Sequence, residues 1–195
     1  MSDVYRVLFV CTGNICRSPF GERLLRARLD SELAADALRI EVSSAGTHGL
    51  VGEAMMPEAA ETLVRYGGNP DGFVARAMEG AHIEAADLVL GLTREHRAAV
   101  VTTVPRAAGR TVTVREYARL LTGVTAADLS EVGSDPVERF RAVTTAAFGR
   151  RGWAPPKDPR DDDIPDPFGS SMAAYERAAA MIDQALDVPL SLLFS

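Results

Sequence analysis

The segment Val10-Cys11-Thr12-Gly13-Asn14-Ile15-Cys16-Arg17-Ser18-Pro19 follows an apolar stretch that predicts a strand and opens a predicted helix. Ser18 is suited to cap that helix, and Pro19 is suited to its first turn. Gly13 and Asn14 tolerate the left-handed backbone that lets successive amides of a short loop point inward. An anion held by those amides would also lie at the positive end of the helix. The segment therefore predicts a phosphate-binding loop between the first strand and the first helix.

Three side chains of this loop are candidates for chemistry. The helix N-terminus, Arg17 and the amide donors favour the thiolate form of Cys11, which is the nucleophilic form. The planar guanidinium of Arg17 matches two phosphoryl oxygens and suits it to orient the group and stabilise an equatorial transition-state charge. Ser18 can donate a hydrogen bond to the sulfur and help it leave in a second step. An exposed Arg17 and a Ser18 that only caps the helix are the alternatives.

Asp166 is the candidate general acid. A phenolate departs faster when an acid donates a proton to it, and the resulting carboxylate can then take a proton from the attacking water. The prolines of Pro165-Asp166-Pro167 restrict the backbone and could hold the carboxyl in one place. From spacing alone, an Asp166 that merely starts a turn is an equally good interpretation.

Apolar segments alternate with segments of helical periodicity along the chain. This alternation predicts a three-layer, doubly wound α/β fold, with a parallel sheet, helices on both of its faces and the phosphate loop at the carboxyl end of the first strand. The predicted elements are strand 4–10, helix 18–37, strand 39–44, helix 56–67, strand 87–92, helix 94–103, strand 111–114, helix 136–148 and helix 170–187.

Composition restricts the function classes. The 195 residues suit one domain, and 47% apolar with 25% charged residues is typical of an intracellular globular enzyme. A net charge of −6 without a basic stripe argues against nucleic-acid binding. No segment resembles a signal peptide or is long enough to cross a bilayer, so we predict a cytoplasmic protein with no membrane partner.

No metal or other cofactor is predicted. Residues 158–163 lack the glycine and terminal glutamate of a calcium loop, and we interpret them as a solvated acidic loop. His48, His82 and His96 show no ligand spacing, and the chain has only two cysteines, both in the phosphate loop.

Residues 10–19 resemble the signature of the low molecular weight protein tyrosine phosphatase family, Val-Cys-x-Gly-Asn-x-Cys-Arg-Ser-Pro, which is related to protein arginine phosphatases and thioredoxin-coupled arsenate reductases. Other segments occur in the family's order: Ser43-Ser44-Ala45-Gly46-Thr47, Val74-Ala75-Arg76, Asp87-Leu88-Val89-Leu90 and Ile164-Pro165-Asp166-Pro167-Phe168-Gly169. The resemblance implies that residues 1–195 form one such domain, with an insertion at about 123–160 before the Asp-Pro loop.

The resemblance also implies a fold, an activity and partners. The sheet would have four parallel strands, and Cys11, Arg17 and Asp166 would hydrolyse phosphotyrosine in a protein through a phosphocysteine. Inorganic phosphate would be the product. Bacterial family members are often linked to tyrosine kinases, so such a kinase is an implied partner.

Substrate choice depends on the wall of the cleft, for which Ile15, Leu50 and Phe168 are the candidates. The resemblance implies that the related arginine phosphatases have Thr at the position of Ile15, where its hydroxyl can help to bind a polar guanidinium. The apolar Ile15 therefore favours a phosphotyrosine ring. The segment Asp166-Pro167-Phe168-Gly169 looks more like the arginine phosphatases, and that alternative stays open. Arsenate reduction is disfavoured because no cysteine follows Cys16, and a non-catalytic phosphate-binding module is disfavoured by the intact catalytic candidates.

Supporting roles follow from the same resemblance. Asn14 and Ser44 are expected to brace the phosphate loop. Cys16 is expected to capture oxidised Cys11 as a disulfide, although a small buried apolar role is the alternative. The insertion precedes the acid loop, so we expect Arg150, Arg151 or Trp153 to contact substrate, against the simpler interpretation of a peripheral ornament.

Overall fold

The central strand, Tyr5–Cys11, pairs with a parallel neighbour on each side in a four-stranded sheet. A computed structural model describes residues 3–153 and 155–194. The strands are β1 (Tyr5–Cys11), β2 (Ile40–Gly46), β3 (Leu88–Gly91) and β4 (Thr111–Thr113), in the spatial order β2-β1-β3-β4. All three pairings are parallel, so the predicted fold class is confirmed.

Seven α-helices accompany the sheet within the described residues. They are α1 (Arg17–Leu33), α2 (Pro57–Arg65), α3 (Gly80–Ala85), α4 (Arg94–Thr103), α5 (Val114–Leu121), α6 (Pro136–Gly149) and α7 (Met172–Leu193). None of them combines the length and apolar character needed to span a bilayer.

The two faces of β1 explain the three layers. Successive strand residues point to opposite faces. Tyr5, Val7 and Phe9 belong to a large core shared with α1, α5, α6 and α7. Leu8 and Val10 belong to a smaller core that includes residues of α3 and α4. From Val7 to Cys11 the strand is apolar because both of its faces are covered there, as in central strands of parallel sheets, whereas Arg6 near its start pairs with Glu41.

The helix boundaries differ from the sequence predictions in three places. The first helix ends at Leu33, where Ala34 has a φ of 48° and a 3₁₀ segment (Ala34–Arg39) follows. Two helices were not predicted from the sequence, the short α3 and α5, and α5 starts directly after β4. The last helix begins at Met172 and continues through Pro189 to Leu193, beyond the predicted end at residue 187.

The helix of the predicted insertion, α6, packs beside the first residue of β1, whereas the phosphate loop follows the last residue of that strand. The ring of Tyr5, which begins β1, packs on Phe140 of α6 with ring centroids 5.1 Å apart, and its hydroxyl lies 2.6 Å from Thr144 Oγ1. Farther along, Arg151 donates hydrogen bonds to the carbonyls of Ala108 and Thr111, at the start of β4.

The structure does not bring Arg150, Arg151 or Trp153, which were expected to contact substrate, to the cleft around Cys11. Parallel strands end at a common edge, and Cys11 is the last residue of β1, whereas Arg151 binds residues before and at the start of β4. Arg150 donates to the carbonyls of Leu120 and Thr122, and the exposed Trp153 does not line the cleft around Cys11.

Candidate active site

The phosphate loop is held from outside by a second loop. Cys11 ends β1 and Arg17 begins α1, so residues 12–16 connect the central strand to its helix. The carbonyl group of Cys11 and three carbonyl groups of this connection accept hydrogen bonds from backbone amides of residues 47–56. The pairs are Thr47 N to Cys11 O (2.9 Å), His48 N to Thr12 O (2.9 Å), Leu50 N to Gly13 O (3.0 Å) and Met56 N to Ile15 O (2.8 Å).

These outward carbonyls determine where the amides point. In a trans peptide the C=O and N–H groups lie on opposite sides of the bond. The peptide units whose carbonyls face residues 47–56 therefore direct the N–H groups of residues 12, 13, 14 and 16 toward the inner side of the loop. Such a set of convergent amides next to a helix N-terminus is suited to bind an anion.

Asn14 fixes the curvature of the loop. It adopts a left-handed φ of 56°, and its side chain is fully buried. Its amide nitrogen donates to Ser18 Oγ at 2.9 Å and to Ser44 Oγ at 2.8 Å. Its amide oxygen accepts from the backbone amide of Arg76 at 2.9 Å. The structure thus brings together Asn14, Ser18 and Ser44, the three residues predicted to support the loop.

A further shell supports Ser44. Its hydroxyl donates to Glu22 Oε2 at 2.6 Å, and its carbonyl accepts from Arg76 Nε at 2.7 Å. Burial raises the pKa of Glu22, and its hydrogen bond from Ser44 acts in the opposite direction. Sequence analysis did not select Glu22, although it lies one turn into the helix that follows the signature.

Two glycines allow the loops to approach this closely. A Cβ on Gly46 would lie 2.4 Å from the carbonyl oxygen of Thr12, and one on Gly49 would lie 2.3 Å from that of Arg76. Real Cβ atoms do not approach backbone oxygens this closely. A side chain at position 46 would push against the phosphate loop at Thr12, and one at position 49 would push against the backbone at Arg76.

Cys11 and Arg17 are both buried side chains that line the same cleft. Cys11 is buried, and its Sγ lies 2.9 Å from Ser18 Oγ. The guanidinium of Arg17 is also buried: Nη1 donates to the carbonyl of Ile164 at 3.0 Å and Nη2 donates to Asp166 Oδ2 at 2.5 Å. Arg17 is therefore not a surface residue at a helix start, and it links the phosphate loop to the Asp-Pro loop.

The Asp-Pro loop reaches the site through its carboxylate. Asp166 is half-exposed, and its second oxygen accepts a hydrogen bond from the amide of Phe168 at 3.2 Å. This contact is the turn that Asp-Pro sequences favour. Turn formation and a position in the site are thus compatible, because each carboxylate oxygen makes a different contact.

Residues 158–163 were predicted to form a solvated acidic loop. In the structure three of their carboxylates form ion pairs, and one of these carboxylates is buried. Asp162 is buried and pairs with Arg119 at 2.7 Å, and Asp163 pairs with Arg94 at 2.8 Å. Asp158 pairs with the exposed Arg160 at 2.7 Å. Among the described residues, no group of three or more His, Cys, Asp or Glu side chains forms an arrangement that could hold a metal ion.

A cleft of about 190 Å³ opens above Cys11. The predicted wall residues Ile15, Leu50 and Phe168 all line it, together with Arg17 and Asp166. Its other lining residues are Cys11, Thr12, Gly13, Cys16 and His48. Sequence analysis missed His48, which carries no motif and reaches the cleft because residues 47–56 frame the loop.

Cys16 shares the site but is chemically distinct from Cys11. It is a buried free thiol that faces both the cleft and a small cavity beside Tyr175. Burial, followed by the neighbouring Cys11, raises the pKa of Cys16 to about 12, against the effect of a hydrogen bond from Tyr175. Cys16 is therefore protonated at neutral pH.

His96 was dismissed on sequence spacing, yet it contacts the phosphate loop. It is buried at the third position of α4, with Nδ1 2.9 Å from Thr93 Oγ1 and Nε2 3.0 Å from Thr12 Oγ1. Burial, and then the charge of Arg17, lower the pKa of His96 to about 4. The available signal was its place just after the third strand, at the edge where such sheets bind ligands.

This geometry can be compared with known proteins. The sequence pattern described as "Low molecular weight phosphotyrosine protein phosphatase" matches residues 6–146. The chain belongs to this family. Within the family, it is 37% identical over 182 residues to a low molecular weight protein-tyrosine-phosphatase of Streptomyces coelicolor, covering 93% of this chain and 88% of that protein.

Two further family relatives differ in their named substrates. The low molecular weight protein-tyrosine-phosphatase Etp of Escherichia coli K12 is 31% identical over 179 residues, covering 92% of this chain and 88% of Etp. The structure of YwlE arginine phosphatase from Geobacillus stearothermophilus superposes with a TM-score of 0.64 at 26% identity, covering 96% of this chain and 90% of YwlE. The family membership predicted from the signature is thus confirmed, and the chain is a hydrolase of this family.

Proposed function

We propose that this phosphatase hydrolyses phosphotyrosine in proteins through a phosphocysteine intermediate on Cys11. The observation that supports this proposal is that the three candidate catalytic side chains meet at one cleft. Cys11, Arg17 and Asp166 meet at one cleft, next to inward-facing amides and below apolar wall residues. Each of these features matches one requirement of the reaction: a nucleophile, an anion cradle and a proton donor.

In the first step the inward amides and Arg17 bind the phosphoryl oxygens. The Cys11 thiolate attacks phosphorus, and the S–P bond forms while the bond from phosphorus to the tyrosine oxygen breaks. Phosphoryl oxygens take the place of the Asp166 carboxylate on Arg17, and the freed, half-exposed carboxylate takes up a proton from solvent. Asp166 then donates its proton to the departing phenolate oxygen.

In the second step water attacks the phosphocysteine. Asp166, now a carboxylate, accepts a proton from the water as the new P–O bond forms. The S–P bond breaks, and inorganic phosphate leaves. Ser18 stabilises the departing thiolate by donating its hydroxyl hydrogen bond, since its oxygen lies 2.9 Å from Cys11 Sγ.

The cleft wall supports an aromatic substrate. Ile15, Leu50 and Phe168 are apolar side chains of the cleft wall. Transfer of a phosphotyrosine ring from water to a position between these side chains lowers the free energy of the complex. A guanidinium substrate would instead need polar partners along this wall. Hydrolysis of protein phosphoarginine is the second candidate, because the chain is similar to an arginine phosphatase and carries Asp166-Pro167-Phe168-Gly169.

The test is phosphate release from matched phosphotyrosine, phosphoserine and phosphoarginine peptides, without added metal. We expect tyrosine preference in the wild type and no turnover in Cys11→Ser or Arg17→Ala. A preference for phosphoarginine would favour the second candidate. Absence of release from every peptide would contradict the proposed reaction.

The partner and redox behaviour belong to the same proposal. The substrate is a phosphotyrosine protein, such as a bacterial tyrosine kinase, and the site of action is the cytoplasm. A tagged Cys11→Ser variant should capture the phosphorylated partner that the wild type releases. Peroxide would oxidise Cys11 to the sulfenic acid, and the Cys16 thiol would displace water from it to form a disulfide.

A further inference from the structure

His96 joins two segments that the catalytic proposal leaves separate. Its Nε2 lies 3.0 Å from the hydroxyl of Thr12, which lines the cleft, and its Nδ1 lies 2.9 Å from the hydroxyl of Thr93. Thr93 is the N-cap of α4, and its hydroxyl also accepts a hydrogen bond from the His96 amide at 3.3 Å. Both ring nitrogens are therefore used, one toward the helix cap and one toward the phosphate loop.

The topology explains why a side chain of α4 reaches this loop. Strand β3 lies beside β1, with Gly91 opposite Val10, so α4 begins next to the end of β1. A Cβ on Gly91 would lie 3.4 Å from His96 Cβ and 2.9 Å from the Arg97 amide. The missing side chain at Gly91 lets the start of α4 pack closely against the end of β3.

The imidazole is neutral at neutral pH. Burial is the main cause of its low pKa, and Arg17 is the second, while Asp166 and Asp163 act in the opposite direction. A neutral imidazole has one donor and one acceptor nitrogen, and each hydroxyl partner can take either role. The contact is therefore a hydrogen-bond bridge and adds no second positive charge beside Arg17.

The same helix start also holds the Asp-Pro loop. The amide of Arg94 donates to Asp163 Oδ1 at 2.7 Å, and the Ile164 amide donates to the Leu92 carbonyl at 2.9 Å. Ile164 in turn accepts from Arg17. The segment 92–96 thus contacts both catalytic loops, and His96 is its contact with the phosphate loop.

We propose that His96 is a positioning residue for phosphate binding, which acts by holding the exposed Thr12 through the Nε2 bond. Thr12 sits at the first turn of the loop, where its peptide N–H points inward. Fixing its side chain restrains the adjacent amides in the anion-binding arrangement. This inference deepens the proposed function, but its first measurement, phosphate affinity, needs no turnover.

Two substitutions separate the two ring nitrogens. Glutamine places a polar atom near the position of Nε2 and can keep the bond to Thr12, whereas asparagine places one near Nδ1 and can keep only the bond to Thr93. We expect His96→Asn to bind inorganic phosphate about 3- to 10-fold more weakly, which corresponds to the net value of one neutral hydrogen bond. We expect His96→Gln to stay within about twofold of the wild type.

The measurement is calorimetric titration with inorganic phosphate, accompanied by melting temperatures and by kcat and KM on an aryl phosphate. His82→Asn is the matched control, because His82 lies on α3 and does not line the cleft. Equal phosphate affinity in the His96→Asn and His96→Gln variants would overturn the proposal, whether both match the wild type or both fall together.

A second pair tests the same bond from the other side. Thr12→Ser keeps the hydroxyl and Thr12→Val removes it, so only Thr12→Val should lose affinity, and adding His96→Asn to it should cause little further loss. Equal affinities for Thr12→Ser and Thr12→Val would refute the bridge even if no His96 variant folds. Normal phosphate binding by a wild type that hydrolyses nothing would contradict the proposed function and leave this test intact.

Discussion

Replacing Asn14 with alanine should destabilise the protein strongly, although Asn14 is a loop residue. The change removes three buried hydrogen bonds, two donated to Ser18 and Ser44 and one accepted from the Arg76 amide. At a net value of about 0.5–1.5 kcal/mol each, they contribute about 2–4 kcal/mol. Holding alanine at the left-handed φ of 56° adds about 1 kcal/mol. We therefore expect Asn14→Ala to lower the free energy of unfolding by about 3–5 kcal/mol.

Asn14→Gly separates the two contributions. Glycine loses the same three bonds but adopts a left-handed backbone without strain, so its loss should be about 1 kcal/mol smaller than that of alanine. Urea unfolding followed by circular dichroism measures both variants. Asn69→Ala is the matched control, because Asn69 is an exposed loop asparagine whose side chain accepts one bond, from the Asp71 amide.

Two outcomes would contradict these expectations. If Asn14→Ala were no more destabilising than Asn69→Ala, the asparagine would not support the loop. If Asn14→Gly were as destabilising as Asn14→Ala, the left-handed backbone would carry no cost.

Four further predictions concern chemistry, redox protection, pH and the insertion. Asp166→Asn should slow hydrolysis of phenyl phosphate far more than that of p-nitrophenyl phosphate, because only the poor leaving group needs a proton; equal losses in kcat would remove Asp166 from the acid role. After peroxide treatment, thiol should restore activity to the wild type but not to Cys16→Ser, and equal recovery would argue against a disulfide with Cys11. The pKa of His96 is lowered from 6.5 to about 4 in the folded state. As pH falls, the unfolded chain therefore binds a proton at this histidine before the folded protein does, and the free energy of unfolding decreases between pH 6.5 and 4. That loss is at most about 3 kcal/mol and should be absent from His96→Gln in urea titrations at several pH values; an unchanged pH dependence would contradict it. Arg151→Ala should lower the melting temperature, because it removes hydrogen bonds to the carbonyls of Ala108 and Thr111, and should leave kcat/KM for phosphopeptides unchanged. A change in kcat/KM would indicate that residues of the predicted insertion take part in substrate binding.

Much of the fold was predictable because the signature and the strand pattern act locally. The first strand is apolar on both faces from Val7 onward, and the glycine and asparagine of the loop have intrinsic backbone preferences. These signals needed no knowledge of distant contacts. They were enough to predict a parallel sheet with the phosphate loop at the end of β1.

The missed helices have two different explanations. The short α3 has only six residues, and no periodicity can emerge over that length. In contrast, α5 follows β4 without a loop, and Thr113 is both the end of the strand and the N-cap. The capping box of Thr113 and Glu116 was a readable signal that the strand-like Thr-Val-Thr-Val sequence concealed.

The parts of the site that were not predictable depend on topology. His48 and His96 reach the cleft or its loop only because residues 47–56 frame the phosphate loop and α4 starts beside β1. Residues 150, 151 and 153 do not line the cleft, contrary to expectation, for the same reason. Because these residues come shortly before the acid loop in sequence, they were expected to lie close to it in space. Arg151 instead binds Ala108 and Thr111, at the amino end of β4.

The close contacts of Gly46 and Gly49 have a consequence for how this enzyme can be altered. Gly46 leaves no room for a side chain against Thr12, and Gly49 leaves none against Arg76, so the backbone that surrounds the phosphate site has little freedom to change. Diversification, whether by evolution or by design, must then fall on the side chains at the rim, such as Ile15, Leu50 and Phe168. The arrangement separates the shared chemistry from the choice of substrate, and a new preference can arise without rebuilding the catalytic machinery.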